Sequence, residues 1–278
     1  IGGPHAEVHA VKAVKDKDLL SQSTVYVSLE PCSHHGRTPP CASLLITHGV
    51  KKVVVSNTDP NPLVAGKGIA MLREAGIEVQ TGLMEQEGLE INKRFYTFHQ
   101  KKRPYVILKW AQTSDGFIAR EDHSSKWISG AWSRKLVHKW RSEEDAVLVG
   151  RRTAAVDDPF LTTRSWHGKN PLRLVLDPGL KLLPTLHLLD GTLPTVCYTA
   201  LNDKKRKNVE LVQYDRDHPV RDILQDLYAR NILSVIIEGG SATIQSFINA
   251  GQWDEARIFT APKLFFKGVA APHTGRAT

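Results

Sequence analysis

The chain has 278 residues, 41% of them apolar and 24% charged, with a formal net charge of +8; that length suits roughly two domains of about 100–200 residues, and the composition is globular. No run approaches the roughly 20 apolar residues that cross a bilayer, and Lys and Arg are spread along the chain instead of forming the basic stripe of a nucleic-acid surface. Three cysteines, an odd count, argue against a disulfide framework and fit a reducing cytoplasm, so the positive charge points to a small phosphorylated partner.

Ile1-Gly2-Gly3 runs into Pro4-His5-Ala6-Glu7 with no initiating Met, which predicts that further residues precede Ile1. Helical spacing of apolar residues from Glu7 to Val14 places His5 and Glu7 at a helix start. Thr24 to Leu29 is β-branched and aromatic, a strand that delivers Pro31-Cys32 at its carboxyl end. Cys41 opens a helix through Ile46 that Gly49 stops. A strand at Lys52–Ser56, a helix at Ile69–Ala75 and a strand at Ile77–Val79 follow. One helix is expected over Glu85–Lys102, draining into Lys101-Lys102-Arg103-Pro104, and the boundary between a first domain, 1–103, and a second, 104–278, is placed there.

Beyond the boundary the expected elements are a strand at Tyr105–Trp110, a helix at Ser133–Arg141 and strands at Ala146–Gly150, Leu172–Leu176 and Thr195–Tyr198. A helix at Val220–Ala229 precedes the last strand, Leu233–Ile237, which runs into Glu238-Gly239-Gly240-Ser241 and a helix over Ala242–Ala250. This alternation indicates α/β layers. Cys197 reads as a packed core residue, Lys204-Lys205-Arg206-Lys207 as a solvated loop, and Asp157-Asp158-Pro159 as a turn.

His5, Cys32 and Cys41 have the residue types of a zinc site with three protein ligands, and Glu7 is left over to move protons to and from a bound water. His-x-Glu followed by Pro-Cys and a second Cys is the signature of zinc-dependent nucleobase deaminases, here with eight residues between the cysteines instead of two. A structural zinc closed by His34 or His35 is the competing reading, and it leaves Glu7 without a role. A helix N-terminus would also stabilise the Cys41 thiolate. His9 reads as a surface residue or a neighbour of the ligands, and His34, His35, Arg37 and Thr38 as a substrate-facing loop. Gly239-Gly240 between strand and helix suits an anion such as a pyrophosphate, though a plain tight turn would look the same.

These motifs together resemble the bifunctional deaminase–reductase family of riboflavin biosynthesis. The resemblance rests on Pro4-His5-Ala6-Glu7-Val8-His9-Ala10 and on Leu29 to Cys41 with its Cys-x8-Cys spacing. Asp59-Pro60-Asn61-Pro62, Gly66-Lys67-Gly68, Ser114-Asp115-Gly116, Trp127-Ile128-Ser129, Thr153 with Asp157-Asp158-Pro159, and Glu238-Gly239-Gly240 extend it over essentially the whole chain. It implies an α/β protein with an N-terminally incomplete, cytidine-deaminase-like zinc domain followed by a dihydrofolate-reductase-like domain. The first would hydrolyse the 2-amino group of a phosphoribosylated diaminopyrimidinone, and the second would reduce the ribosyl group to ribityl with NADPH. By motif, His5, Cys32 and Cys41 would hold zinc and Glu7 would shuttle protons. Ala111, Trp127, Thr153, Asp157 and the stretch Gly240, Ser241, Ala242, Thr243, Ile244, Gln245 and Ser246 match cofactor-contacting positions. Ser125, Arg141, Leu161, Arg164 and Glu238 match substrate-contacting ones, and the two arginines suit a phosphate because a guanidinium fork binds it bidentately.

The family pattern extends beyond both ends of the sequence, so residues after Thr278 are expected as well. The implied partner is the phosphorylated pyrimidine, in a homo-oligomer, with neither nucleic acid nor membrane. Arg151 and Arg152 are candidates for a cofactor 2′-phosphate or plain surface charges. A tRNA or free-base deaminase would show the two-residue cysteine spacing and a basic or aromatic groove. A non-catalytic zinc-stabilised binding module is the alternative from a different class.

Overall fold

Short β-branched strands alternating with helices fold into two α/β units, Ile1–Lys101 and Lys102–Thr278. The computed structural model describes residues 3–34, 39–122, 128–202 and 205–275. The first unit runs α1 (Ala6–Ala13), a 3-10 turn (Lys17–Gln22), β1 (Thr24–Leu29), α2 (Cys41–Thr47), β2 (Lys52–Asn57), α3 (Lys67–Glu74), β3 (Glu78–Thr81), α4 (Glu85–Ile91) and α5 (Lys93–Lys101). Its sheet has the order β1-β2-β3 and is parallel throughout, with Val25 opposite Val53 and Val53 opposite Val79. Parallel strands are covered on both faces and so read as continuous apolar runs; central β2 buries Val53, Val54 and Val55 in succession. Val11, Leu45, Ile69 and Leu72 from the helices close the core over it.

The single helix expected over Glu85–Lys102 is two helices. At Asn92 the backbone leaves helical geometry, and both its N–H and its side-chain amide donate to the Gly88 carbonyl at 3.2 Å. An asparagine that bonds its own backbone in this way competes with helix continuation.

The second unit contains β4 (Tyr105–Thr113), β5 (Phe117–Ala119), α6 (Ala131–Glu143), β6 (Ala146–Gly150), α7 (Arg151–Asp157), β7 (Leu172–Leu176), β8 (Thr195–Thr199) and β9 (Glu210–Gln213). It ends with α8 (Pro219–Ala229), β10 (Ser234–Glu238), α9 (Ser241–Asn249), β11 (Glu255–Ala261) and β12 (Val269–Ala270). Seven strands pair in the order β11-β4-β10-β6-β7-β8-β9, all parallel, while β5 and β12 form a small antiparallel pair. The strand expected last is therefore followed by another, β11, which lies on β4 at the sheet edge. Its Glu255 and Arg257 give it the charged pattern of an edge strand and hid it in the sequence. Cys197 is fully buried in β8. The basic run is not uniformly solvated: Arg206 donates to the Leu182 carbonyl and lies 3.8 Å from the buried carboxylate of Asp177, while Lys204 lies outside the described residues.

At the carboxyl end of β1, buried Glu30 gathers the loop that leads into α3. Its Oε2 accepts from the N–H groups of Asp59 (3.2 Å) and Gly66 (2.9 Å), and its Oε1 from those of Gly68 (2.9 Å) and Ile69 (3.2 Å). Gly68 is required by close approach, because a Cβ there would collide with the Pro31 carbonyl oxygen. Hydrogen bonds to an ionised group contribute about 1.5–3 kcal/mol each. Glu30→Gln turns an amide NH2 towards one pair of these donors. Hydrogen-exchange protection at Gly66, Gly68 and Ile69 should then fall on the order of 100-fold, the equivalent of roughly 3 kcal/mol. Unchanged protection would show that the carboxylate does not hold this loop.

Candidate active sites

His5 stands in extended conformation directly before α1, and its carbonyl accepts the first helical N–H groups, from Val8 and His9. Cys32 follows β1, and Cys41 is the first residue of α2. The Ala42 N–H meets the Cys32 carbonyl at 3.1 Å and the Cys41 N–H meets the Cys32 Sγ at 3.3 Å. His5 Nδ1 then lies 3.6 Å from Cys32 Sγ and 3.4 Å from Cys41 Sγ. Zinc–sulfur and zinc–nitrogen bonds of about 2.3 and 2.0 Å at a tetrahedral angle give an N···S edge of about 3.5 Å. The three atoms fit that ion, and among the described residues this is the one histidine, cysteine or acid cluster of its kind.

Glu7, in the first turn of α1, is not one of the clustered ligands. Burial pushes the Cys41 thiol well above its ordinary range, and the charge of Glu7, hydrogen-bonded to it, and that of Cys32 add to the rise. The first N–H of α2 is turned to the Cys32 sulfur. A dication is the counter-charge that this buried, anion-flanked sulfur lacks. Exposed His34 is outside the cluster, and His35, Arg37 and Thr38 lie outside the described residues. Asp59, almost fully buried, has its carboxyl pKa raised by burial, against which the nearby His99 and His34 act.

In the second unit the carboxyl ends of β4, β10 and β6 lie side by side. Glu238 ends β10 and accepts both arms of Arg141 from α6, Nε at 2.7 Å and Nη2 at 2.8 Å. Lys109, its register partner on β4, brings Nζ to 3.7 Å. Burial works to raise the Glu238 carboxyl, but Arg141 and Lys109 outweigh it and hold the pKa at about 2. Burial lowers Lys109, with Glu238 opposing the shift. The fork of Arg141 thus faces Glu238, so two of the residues matched to substrate-contacting positions bond each other. Arg164 is the exposed one, its charge close to that of Arg141. Leu161 is fully buried. Sequence reasoning missed Lys109, although a single lysine inside the apolar strand Tyr-Val-Ile-Leu-Lys-Trp was the available signal.

The turns after β10 and β6 mesh. Gly239 and Gly240 both have positive φ, 84° and 75°, and Thr153 of α7 fills the space a side chain there would take. Reciprocally, Thr243 of α9 occupies the place of a Cβ on Gly150. No side chain caps the start of α9, so its first N–H groups are turned to whatever lies before the helix. A cleft of about 570 Å3 opens there, lined by Ala242, Thr243 and Ser246 and by the cations Arg151, Lys181 and Arg216. Other predicted cofactor positions are placed differently. Ile244 is buried in the core, Ser241 donates to the Ala270 carbonyl, and Gln245 bonds the backbone of His273. Ala111 lies on β4 and Asp157 ends α7, while Ser125 and Trp127 lie outside the described residues.

Residues 2–57 match the family model for the cytidine and deoxycytidylate deaminase zinc-binding region, and residues 104–272 match the RibD C-terminal domain. Fold and sites therefore define a two-domain protein, a zinc-dependent deaminase joined to an α/β reductase. A riboflavin biosynthesis protein RibD from Aquifex aeolicus is 41% identical over 280 residues, 99% of this chain and 78% of the relative. The crystal structure of a diaminohydroxyphosphoribosylaminopyrimidine deaminase/5-amino-6-(5-phosphoribosylamino)uracil reductase from Thermotoga maritima superposes with a TM-score of 0.88. It is 38% identical and covers all of this chain and 78% of its own. Acinetobacter baumannii RibD gives 0.86 at 36% identity, again over all of this chain and 78% of that one. The chain belongs to the RibD family, the bifunctional deaminase–reductases of riboflavin biosynthesis.

Metal analysis should find one zinc per chain. Cys41→Ala removes one of the three ligands and should lower that stoichiometry to a small fraction; undiminished zinc would place the ion elsewhere.

Proposed function

We propose that residues 1–103 hydrolyse the 2-amino group of 2,5-diamino-6-(5-phosphoribosylamino)pyrimidin-4(3H)-one. Residues 104–278 then reduce the ribosyl group of the product to ribityl with NADPH. The observation that carries the first half is Glu7 beside Cys41 but outside a His5–Cys32–Cys41 set whose N···S edges suit tetrahedral zinc. His5, Cys32 and Cys41 would hold the zinc, which would supply a water with its pKa lowered towards about 7. Glu7 accepts the proton given up as the hydroxyl adds to the amino-bearing carbon and passes it to the ring nitrogen. It then takes the proton of the added hydroxyl and delivers it to the departing amine, so that water and the amidine become a carbonyl and ammonia.

For the second half, the meshed Gly239-Gly240 and Gly150 turns, with the uncapped start of α9, support binding of a dinucleotide's phosphates. When bound, NADPH supplies the hydride. Arg151, Lys181 and Arg216 around the cleft favour a cofactor with an extra phosphate over one without it. Lys109, lowered by burial beside ionised Glu238, is the group placed to give a proton to the sugar as its ring opens. Arg164 is the guanidinium left for the substrate phosphate.

The two chemistries should separate by mutation. Glu7→Gln keeps the zinc ligands and removes the carboxylate, so ammonia release should fall about 10²–10⁴-fold while NADPH is still oxidised with the deaminated pyrimidine as substrate. Arg164→Ala should weaken reduction and leave deamination intact. Near-normal ammonia release by Glu7→Gln would refute the assignment of the proton shuttle. In the cleft, Arg151→Ala should lower the ratio of kcat/KM for NADPH to that for NADH by about tenfold, the loss of roughly one charge-assisted hydrogen bond; an unchanged ratio would remove Arg151 from cofactor selection.

A further inference from the structure

Leu161 has φ +54° although its side chain is fully buried, and Asp158 three residues earlier has φ +39°. L side chains other than Asn and Asp rarely adopt this region, and they stay in it where the surroundings over-determine the backbone. The turn is fastened at each step. Asp158 Oδ1 accepts the His187 N–H at 2.8 Å, and the Thr163 N–H and hydroxyl both donate to Asn170 Oδ1 at 2.9 Å. Between them the Thr162 carbonyl accepts from His138 Nδ1 at 2.7 Å and from Arg141 Nη1 at 3.2 Å. Arg141 is already committed to Glu238 through its other two nitrogens. His138, buried on α6 one turn before Arg141, makes the shorter of the two bonds to this carbonyl.

We propose that His138 is a positioning residue of the reductase site, holding the Thr162 carbonyl and through it the strained Leu161–Arg164 turn in the shape that meets the substrate. The proposal rests on the reading above that this turn faces the phosphorylated pyrimidine. A carbonyl oxygen only accepts, so Nδ1 carries the proton. Burial lowers the pKa of His138; the Thr162 carbonyl and Glu238 oppose the shift, and the charges of Arg141 and Arg164 add to it. A neutral ring with its proton on Nδ1 makes this contact without adding a third positive charge beside the two arginines.

Reductase kinetics with the deaminated phosphoribosyl pyrimidine test this. His138→Ala should raise KM for the pyrimidine by about tenfold, as for loss of one buried hydrogen bond, with KM for NADPH and the rate of deamination unchanged. His138→Asn, which carries an amide N–H near the place of Nδ1–H, should recover most of the loss, and His138→Gln, whose amide reaches towards Nε2 instead, should not. Adding His138→Ala to Arg164→Ala should cost little more than Arg164→Ala alone, because one side chain acts through the other. Equal behaviour of Asn and Gln, or a parallel rise in both KM values, would reduce His138 to a packing residue, and the Asn–Gln comparison stands even where Ala fails to fold. If Arg164→Ala leaves the pyrimidine KM unchanged, the substrate-facing reading fails and this proposal falls with it. If Arg164→Ala raises that KM and His138→Ala does not, the proposal alone fails.

Discussion

Glu238 accepts Arg141 at 2.7 and 2.8 Å with Lys109 3.7 Å away, all three largely withdrawn from water. Placing such charges in an apolar interior carries a desolvation cost that only good geometry offsets, and removing one partner of a buried pair costs about 3–5 kcal/mol. The cluster therefore constrains everything bonded to it. Arg141 ties α6 to the end of β10 and reaches the Thr162 carbonyl beyond it. Glu238 is followed at once by the glycine pair that starts α9, so a displaced carboxylate would move the helix N-terminus and the cleft before it. The turn that carries Thr162 and the turn that starts α9 are braced by one buried charge cluster.

The first unit uses a related device at its metal site. Glu30 follows β1, sits two residues before Cys32, and gathers four backbone N–H groups from the segment leading into α3. A buried carboxylate at the carboxyl end of a parallel strand thus occurs in both units. Parallel strands open their loops at one end of the sheet, which is where open α/β folds collect ligands. The neighbours differ in kind. Glu30 is met by neutral N–H donors that hold a loop, whereas Glu238 is met by the cations Arg141 and Lys109.

Much of this was legible in the sequence. Thr24–Leu29, Ala146–Gly150 and Leu172–Leu176 form strands with the expected bounds because β-branched and apolar runs bounded by turns have few other outcomes. His5, Cys32 and Cys41 were readable because few chemistries use that trio with a glutamate two residues from the histidine. The helix break at Asn92 escaped because it depends on a side chain choosing its own backbone. Edge strand β11 escaped because its charges mask the apolar alternation.

The amino-acid sequence by itself determined the alternation of elements, the His5, Cys32 and Cys41 trio with Glu7 beside it, and the family motifs, since each is a matter of local propensity or of residue types that only certain chemistry requires. Only the tertiary structure decided that the fork of Arg141 is taken by a carboxylate 97 residues away, that Lys109 faces the same carboxylate, and that Ile244 is core. It also decided that the first N–H of α2 serves Cys32 and not Cys41. Those outcomes depend on strand order, register and burial, which set distances between residues remote in the chain and so settle which charges meet and which are left for a ligand.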